Sequence, residues 1–342
     1  MKIVNKISSI YNRMLDKIES NKKLKIILIV VALAVVILLP KIGFSSFIIR
    51  VFTMIALYSL LGQSLNLITG YTGQVSIGHA GFCAVGGYTS ALLNVTFGMN
   101  FALSAVCAMI VAGIFGFLLG APTLRLSGTY LTIATLGFGE IIRMLALNWD
   151  GLTGGPLGVA NITRPVIFGI ELTTFNGGLF YLSIFLLIVV SLAIYAIIRS
   201  KMGRALMAIR DDQLAATLMG IEVTKYKVAS FVISAMIAGL GGSFYVHMVR
   251  FIDPNTFNFD ISILIISIVI LGGMGTMKGI FVGAALLISF PEALRFASEY
   301  RFIIYGLILV LMIRFKPEGL LGGQSKRKYK MPSGIKGDYL WV

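Results

Sequence analysis

Long apolar runs separated by short polar segments make up most of the chain. A membrane-crossing helix needs roughly 20 mostly apolar residues, so the pattern predicts an all-α, polytopic membrane protein with about ten transmembrane or re-entrant helical segments. Together these segments form a predicted transmembrane domain over 24–315. They lie near 24–40, 47–69, 76–97, 101–121, 126–147, 178–198, 228–248, 259–272, 279–294 and 301–315.

Composition and charge support a membrane protein and suggest its orientation. The chain is 57% hydrophobic and 13% charged, whereas soluble domains carry about 25% charged residues. Its net charge of +15 comes largely from three basic segments, 1–23, 199–227 and 316–342. Basic segments beside apolar spans typically lie in the cytoplasm, so both termini and 199–227 are predicted to be cytoplasmic, and no nucleic-acid partner is expected. The long 148–178 connection then faces outward.

Two apolar stretches, 65–88 and 270–284, are unusually rich in glycine. Glycine lets helices approach closely or break, and broken backbone at membrane depth is tolerated where protein or a water-filled cavity surrounds it. We therefore expect both stretches to line a central path. Tight helix packing is the alternative, and Ala235, Gly239 and Ser243 show that spacing on one helix face.

The charged window 199–227 separates two apolar runs. Good helix formers over 203–219 predict one short helix with an apolar face of Leu206, Ile209, Leu214 and Leu218, ended by Gly220. A solvated helix with its own apolar face is suited to docking a cytoplasmic protein. A helix lying flat on the lipid surface is the alternative.

Several polar residues fall inside the predicted spans. Charges at membrane depth are costly, and Glu140 and Arg143 are spaced to pair on one helix face. Either helix-to-helix hydrogen bonding or contact with a passing solute would explain the remaining polar residues. The candidates for a translocation path are Gln63, Asn66, Thr72, Gln74, Ser76, His79, Glu140 and Arg143.

The sequence contains no pattern typical of an enzyme or of a bound cofactor. Both cysteines lie in apolar segments, and no cysteine and histidine cluster suggests a metal site. The 272–279 stretch lacks the hydroxyl residue that follows the lysine in a nucleotide-binding loop. Energy for transport is therefore expected to come from another chain.

Five separated segments together resemble the branched-chain amino acid ABC transporter permease family, and within it the LivM-type subunit. They are RALMAIRDDQLAATLMGIEVTKYKVASFVISAMIAGLGG, GYTGQVSIGHAGFCAVGGY, RLSGTYLTIATLGFGEIIR, LTGGPLGV and FKPEGLLGG. The resemblance covers about 60–330. AATLMG at 215–220 is similar to the core of the family's coupling segment, although Leu214 stands where many importers carry glutamate.

The resemblance implies the permease fold of an ABC importer, which moves Leu, Ile, Val or related amino acids inward by alternating access in the bacterial cell membrane. The implied partners are a second homologous permease, two cytoplasmic ATPases and an extracytoplasmic binding protein. The residues implied to couple to the ATPases are Arg204, Arg210, Asp211, Asp212, Ala215, Ala216 and Gly220.

An ion-coupled secondary transporter is the rival reading of the same spans. It would need a carboxylate near the middle of the membrane, and Glu140 is the only acidic residue well inside a predicted span. The sequence leaves open the exact substrate, which could also be urea or a short amide, and whether the chain pairs with a homologue or with itself.

Overall fold

The computed structural model describes residues 40, 45–123, 128–167, 169–293, 306, 310, 314 and 319–321. The predicted spans near 24–40 and 301–315 lie almost entirely outside these residues. The prediction of ten segments therefore remains a prediction, and the basic ends at 1–23 and 316–342 are likewise almost wholly outside the described part.

The described residues form a helical bundle with two small β-ribbons. The helices are α1 Ser46–Thr69, α2 His79–Phe97, α3 Phe101–Thr123, α4 Thr129–Asn148, α5 Asp150–Thr153, α6 Gly178–Arg199, α7 Lys201–Asp211, α8 Gln213–Leu218, α9 Val223–Val249, α10 Phe259–Gly272 and α11 Met277–Ala293. A 3₁₀ turn covers Gly155–Leu157, and the strands are β1 Val159–Ala160, β2 Val166–Ile167, β3 Ile170–Glu171 and β4 Phe251–Ile252. In this part of the chain, α1, α3, α4, α6 and α9 are long and apolar enough to cross a membrane.

Local capping explains where several helices begin. The Ser45 hydroxyl accepts the Phe47 N–H at the start of α1, and Asn258 Oδ1 accepts the Ile261 N–H at the start of α10. Such side chains satisfy backbone donors that have no partner within the helix. The short helices α10 and α11 are joined by a tight turn at 273–276, so the second glycine-rich stretch is a helix break.

Two helices form the centre of the bundle. The most apolar window of α1 is 72% buried and that of α9 is 67% buried, against 22–33% for α3, α4 and α6. Helix α1 packs against α6, α9, α10 and α11, while α9 packs chiefly against α2 and α3. The described part thus has a central pair of helices and a periphery that is left for lipid or other subunits.

Small residues allow the closest of these helix contacts. A Cβ placed on Gly86 of α2 would overlap the backbone of Gly239 on α9, and a Cβ on Gly116 of α3 would lie 2.6 Å from the Ala235 Cβ. The packing face predicted around Ala235, Gly239 and Ser243 is therefore confirmed. Close approach of this kind is the usual means by which membrane helices associate.

The 148–178 connection is folded. It contains α5 and the 3₁₀ turn, and β1 pairs antiparallel with β4 while β2 pairs with β3. Helix α9 runs from α8 to β4 over 27 residues, which is about 40 Å at 1.5 Å per residue. The charged window and the 148–178 connection therefore lie at opposite ends of a central helix, as their predicted opposite sides require.

The prediction of one helix over 203–219 is wrong, because the chain breaks at Asp212. Its backbone is extended, with φ −156° and ψ 111°, and its Oδ1 accepts the N–H groups of Leu214 and Ala215. These bonds begin a second helix, α8, at Gln213. A capping aspartate thus ends α7 and starts α8 within a stretch whose composition favours helix throughout.

Candidate functional site

Three segments that are far apart in sequence meet at the C-terminal end of α1. Arg210 Nη1 of α7 donates to the Gly70 carbonyl, which belongs to the residue after α1. Asn66 Oδ1 accepts the Gly275 N–H at 2.8 Å, and Asn66 Nδ2 donates to the Thr276 carbonyl at 3.4 Å. We call these five residues the Arg210 junction. The last carbonyls of a helix lack partners and carry partial negative charge, so the guanidinium stabilises this end of α1.

The tyrosine beside the junction adds no charge to it. Tyr71 is buried, and burial raises the pKa of its phenol to about 12, although the nearby Arg210 charge acts in the opposite direction. The phenol therefore stays protonated throughout the physiological pH range. The positive charge of Arg210 therefore lies near a neutral phenol.

The residues predicted to couple to ATPases have two kinds of position. Asp212 caps α8 and Ala216 is buried, so with Arg210 these serve the chain's own structure. Gly220 ends the segment at φ +81°, where L side chains are strained. Exposed positions are occupied by Arg204, Asp211, Ala215 and Gly220, and Arg210 and Asp212 are also exposed.

The apolar face predicted for this window is divided between the two helices. Leu206 and Ile209 of α7 are buried in the chain's own core. At α8, Leu214 is 70% exposed, Leu218 is 79% exposed, and Met219, the residue after the helix, is 82% exposed. The expectation of one continuous apolar face is wrong because the turn at Asp212 reorients the second helix. One helix is anchored, and the other presents apolar side chains outward.

The path candidates on α1 and the 70–79 segment are all buried. His79 Nε2 lies 3.1 Å from Ser64 Oγ, and Thr72 Oγ1 donates to the Leu67 carbonyl. These two and Asn66 of the Arg210 junction take part in bonding within the chain. Among these candidates, buried side-chain atoms without a hydrogen-bond partner in the described part of the chain belong to Gln63, Gln74, Ser76 and, at Nδ1, His79.

Little open space connects these candidates. Thr72 and Gln74 line a cavity of about 200 Å³ beside α7 and the start of α9. Glu140 lines a separate crevice of about 10 Å³ between α2, α4 and α10, which is roughly the space that one water molecule needs. In the described part of the chain, the structure therefore does not unite the candidates around one conduit.

The predicted pairing of Glu140 with Arg143 is confirmed. Arg143 Nε lies 2.8 Å from Glu140 Oε2, and Arg143 Nη1 donates to Asn255 Oδ1 at 3.4 Å. The pair thus links α4 to the segment between α9 and α10. The Glu140 carboxylate therefore already has a cationic partner.

Sequence reasoning missed a polar cluster that holds the 148–178 connection. His247 Nδ1 lies 2.7 Å from the Thr163 carbonyl, which requires the proton on Nδ1, and its Nε2 lies 2.9 Å from Ser90 Oγ. Asn94 Oδ1 also accepts the Thr163 N–H at 2.8 Å. We call these four residues the His247 cluster. Ser90 and Asn94 are four positions apart on α2, so the sequence alone could have placed these two polar side chains on one helix face.

Comparison with known proteins places the chain in a family. The family described as branched-chain amino acid transport system / permease component matches residues 47–313. The high-affinity branched-chain amino acid transport system permease protein LivM of Salmonella typhimurium is 38% identical over 304 residues, covering 82% of this chain and 71% of that protein. The LivH permease protein of the corresponding Escherichia coli system is 26% identical, covering 81% of this chain and 94% of that protein.

A more distant relative is also described as a branched-chain amino acid permease. The probable LivM permease of Methanocaldococcus jannaschii is 26% identical over 314 residues, covering 78% of this chain and 90% of that protein. No solved structure matches the chain. The apolar helices and the family match together establish a multi-pass membrane protein. The chain belongs to the family of permease components of branched-chain amino acid transport systems.

Proposed function

We propose that the chain is one membrane-spanning subunit of an ABC importer that carries Leu, Ile, Val or related amino acids into the cell. Two ATPases, a second homologous permease and an extracytoplasmic binding protein complete the assembly. Family membership supports the transport role. The observation that carries the mechanism is the exposed apolar end of α8, which is joined through the buried face of α7 to the Arg210 junction.

The proposed coupling runs from α8 to the centre of the bundle. An ATPase cleft would hold Leu214, Leu218 and Met219, and Asp212 would keep α8 at a fixed angle to α7. Arg210 then passes a displacement of α7 to the end of α1 and the 273–276 turn. Alternating access proceeds largely by rocking of one bundle against the other, and helix shifts at packed interfaces are among the movements that switch proteins between states.

The translocation path is proposed to lie against the second permease. The cavities that the path candidates line in this chain are small, and the peripheral helices α3, α4 and α6 present large exposed surfaces. The 148–178 connection would receive the binding protein on the outer side. The window 199–227 and both termini would lie in the cytoplasm, as the distribution of basic residues predicts.

An ion-coupled transporter is less well supported. It would need a carboxylate free to exchange a cation near the middle of the membrane. Glu140 is already paired with Arg143. Uptake by the wild-type chain without ATP or ATPases would nevertheless favour this alternative and contradict the proposal.

The substitution Leu218→Asp tests the docking role of α8. The leucine is largely exposed in the chain, so the fold should survive, but a carboxylate in an apolar cleft would be desolvated without a partner, at a cost of about 1–3 kcal/mol or more. We expect ATPase co-purification and ATP-driven leucine uptake in proteoliposomes to fall at least about tenfold.

The matched control is Leu157→Asp, because Leu157 is 84% exposed on the 148–178 connection at the other end of the bundle. This variant should retain its ATPases. Undiminished ATPase binding and uptake in the Leu218→Asp complex would contradict the assignment of α8.

A further inference from the structure

A lysine near the start of α9 is buried without an acidic partner. Lys227 is 6% exposed, and its Nζ donates to Gln213 Oε1 at 2.7 Å. Ion pairs among the described residues join other side chains, and none includes Lys227. Burying a cation is unfavourable unless an opposite charge compensates it. In the described part of the chain no carboxylate lies within ion-pair distance of Lys227, although Glu222 lines a second, open pocket beside it.

The same lysine lines the cavity of about 200 Å³ that contains Thr72 and Gln74, which we call the Lys227 cavity. Arg210 is also in its wall, and the hydrogen-bond partner of that guanidinium is the neutral carbonyl of Gly70. The residues that line the cavity include no aspartate or glutamate. Two positive charges thus face a shared space without a compensating anion from the wall.

Gln74 is a second, independent polar group of this wall. It is 6% exposed and lines the cavity, and neither its Nε2 nor its Oε1 has a hydrogen-bond partner among the described residues. Buried amides are normally paired. A carboxamide N–H₂ beside two cations can donate to an oxygen of an anion.

We propose that the Lys227 cavity binds a small oxyanion of the phosphate type. Arg210 provides a planar donor fork suited to two phosphate oxygens, Lys227 provides a point charge held by Gln213, and Gln74 provides an amide donor. One water occupies about 30 Å³ and drug-sized pockets begin at about 300 Å³, so the volume fits a phosphate group. A free amino acid fits less well, because its ammonium would meet two cations and no acid.

This site would join parts of the chain that are proposed to move. Its walls come from the 72–74 segment, from the start of α4, from α7 and Gln213 of α8, and from the first turns of α9. A bound oxyanion would hold the window 199–227 against the end of α1. The inference goes beyond the proposed transport function and does not depend on it.

The test measures thermal unfolding of the full-length chain purified in detergent, with inorganic phosphate compared with chloride at equal ionic strength. In the wild type, phosphate should raise the midpoint in a saturable manner. Lys227→Met should abolish this rise, and Gln74→Leu should weaken phosphate binding at least tenfold. Lys225→Met is the matched control, because Lys225 is largely exposed and lies two residues away; its response should equal that of the wild type.

A second arm identifies the source of the phosphate group. Nanodiscs of phosphatidylglycerol are compared with nanodiscs of phosphatidylcholine in phosphate-free buffer. If inorganic phosphate stabilises the chain, the bound oxyanion is a free anion. If only phosphatidylglycerol stabilises it, and Lys227→Met loses that stabilisation, the bound oxyanion is a lipid headgroup. Either result supports an oxyanion site at Lys227.

The proposal is overturned if neither probe stabilises the wild type, or if Lys227→Met and Gln74→Leu respond as the wild type does. Lys227→Met keeps the bulk of the side chain and removes its charge, so this variant should fold. If it does not fold, the phosphate response of Gln74→Leu tests the site independently. Uptake measured on the same proteins separates the two hypotheses, because a wild-type chain that takes up leucine but is stabilised by neither probe contradicts this site alone.

Discussion

At the scale of single residues, small polar side chains bring the central helices together. The hydroxyl of Ser64 on α1 donates to the Ser234 carbonyl on α9 at 2.6 Å, and the hydroxyl of Ser234 donates to the Ser64 carbonyl at 2.7 Å. This reciprocal pair is possible only where side chains are small enough for the backbones to approach. Buried polarity in this chain therefore does not by itself mark a solute path.

The substitution Gly86→Ala tests the close approach of α2 to α9. The added methyl would overlap Gly239 backbone atoms, and overpacking of this kind typically costs about 1–3 kcal/mol. We expect a lower thermal midpoint in detergent. Gly137→Ala is the control, because a Cβ on Gly137 of α4 meets nothing within 4 Å and alanine favours helix by up to about 1 kcal/mol. Equal midpoints for the two variants would contradict the packing.

At the scale of elements, the charged window works as two helices with different tasks. Helix α7 is capped by Ser200, whose hydroxyl accepts the Met202 N–H, and it buries Leu206 and Ile209 in the bundle. Helix α8 has one buried residue, Ala216. The anchored helix fixes the position of the exposed one, so a docked partner would move both together.

Asp212→Ala tests whether the angle between α7 and α8 depends on the cap. Loss of two capping bonds should cost about 0.5–2 kcal/mol and allow α8 to fray. We expect faster amide hydrogen exchange over 213–218 and less uptake per ATP hydrolysed. Asp212→Asn should retain both properties, because its side-chain oxygen can still accept the two N–H groups. Unchanged exchange in Asp212→Ala would show that α8 does not need this cap.

At the scale of the whole molecule, the two ends of the bundle are tied separately. The Arg210 junction joins α1, α7 and the 273–276 turn at one end, and the His247 cluster joins α2, α9 and the 148–178 connection at the other. Helices α1 and α9 pack directly on each other between these ends. A displacement at the charged window therefore has a continuous packed route through the described part of the chain.

Much of this architecture follows from local sequence. The apolar runs predicted at 178–198 and 259–272 match α6 Gly178–Arg199 and α10 Phe259–Gly272 almost residue for residue. Lys227 could have been recognised as buried, since it shares a helix face with Ser230 and Ser234. The bond from Arg210 to Gly70 could not, because it joins residues 140 positions apart and local periodicity carries no information about such contacts.

Arg210 is proposed to transmit motion of the charged window to α1. The most direct test of this coupling is leucine uptake per ATP hydrolysed by the reconstituted complex carrying Arg210→Ala, with Lys225→Ala as control, since Lys225 is a largely exposed cation of the same window. Removing a charge-assisted hydrogen bond costs about 1.5–3 kcal/mol. We predict that Arg210→Ala keeps its ATPases and hydrolyses ATP while uptake per ATP falls about tenfold or more, and that Lys225→Ala matches the wild type. Wild-type uptake per ATP in Arg210→Ala would contradict the claim.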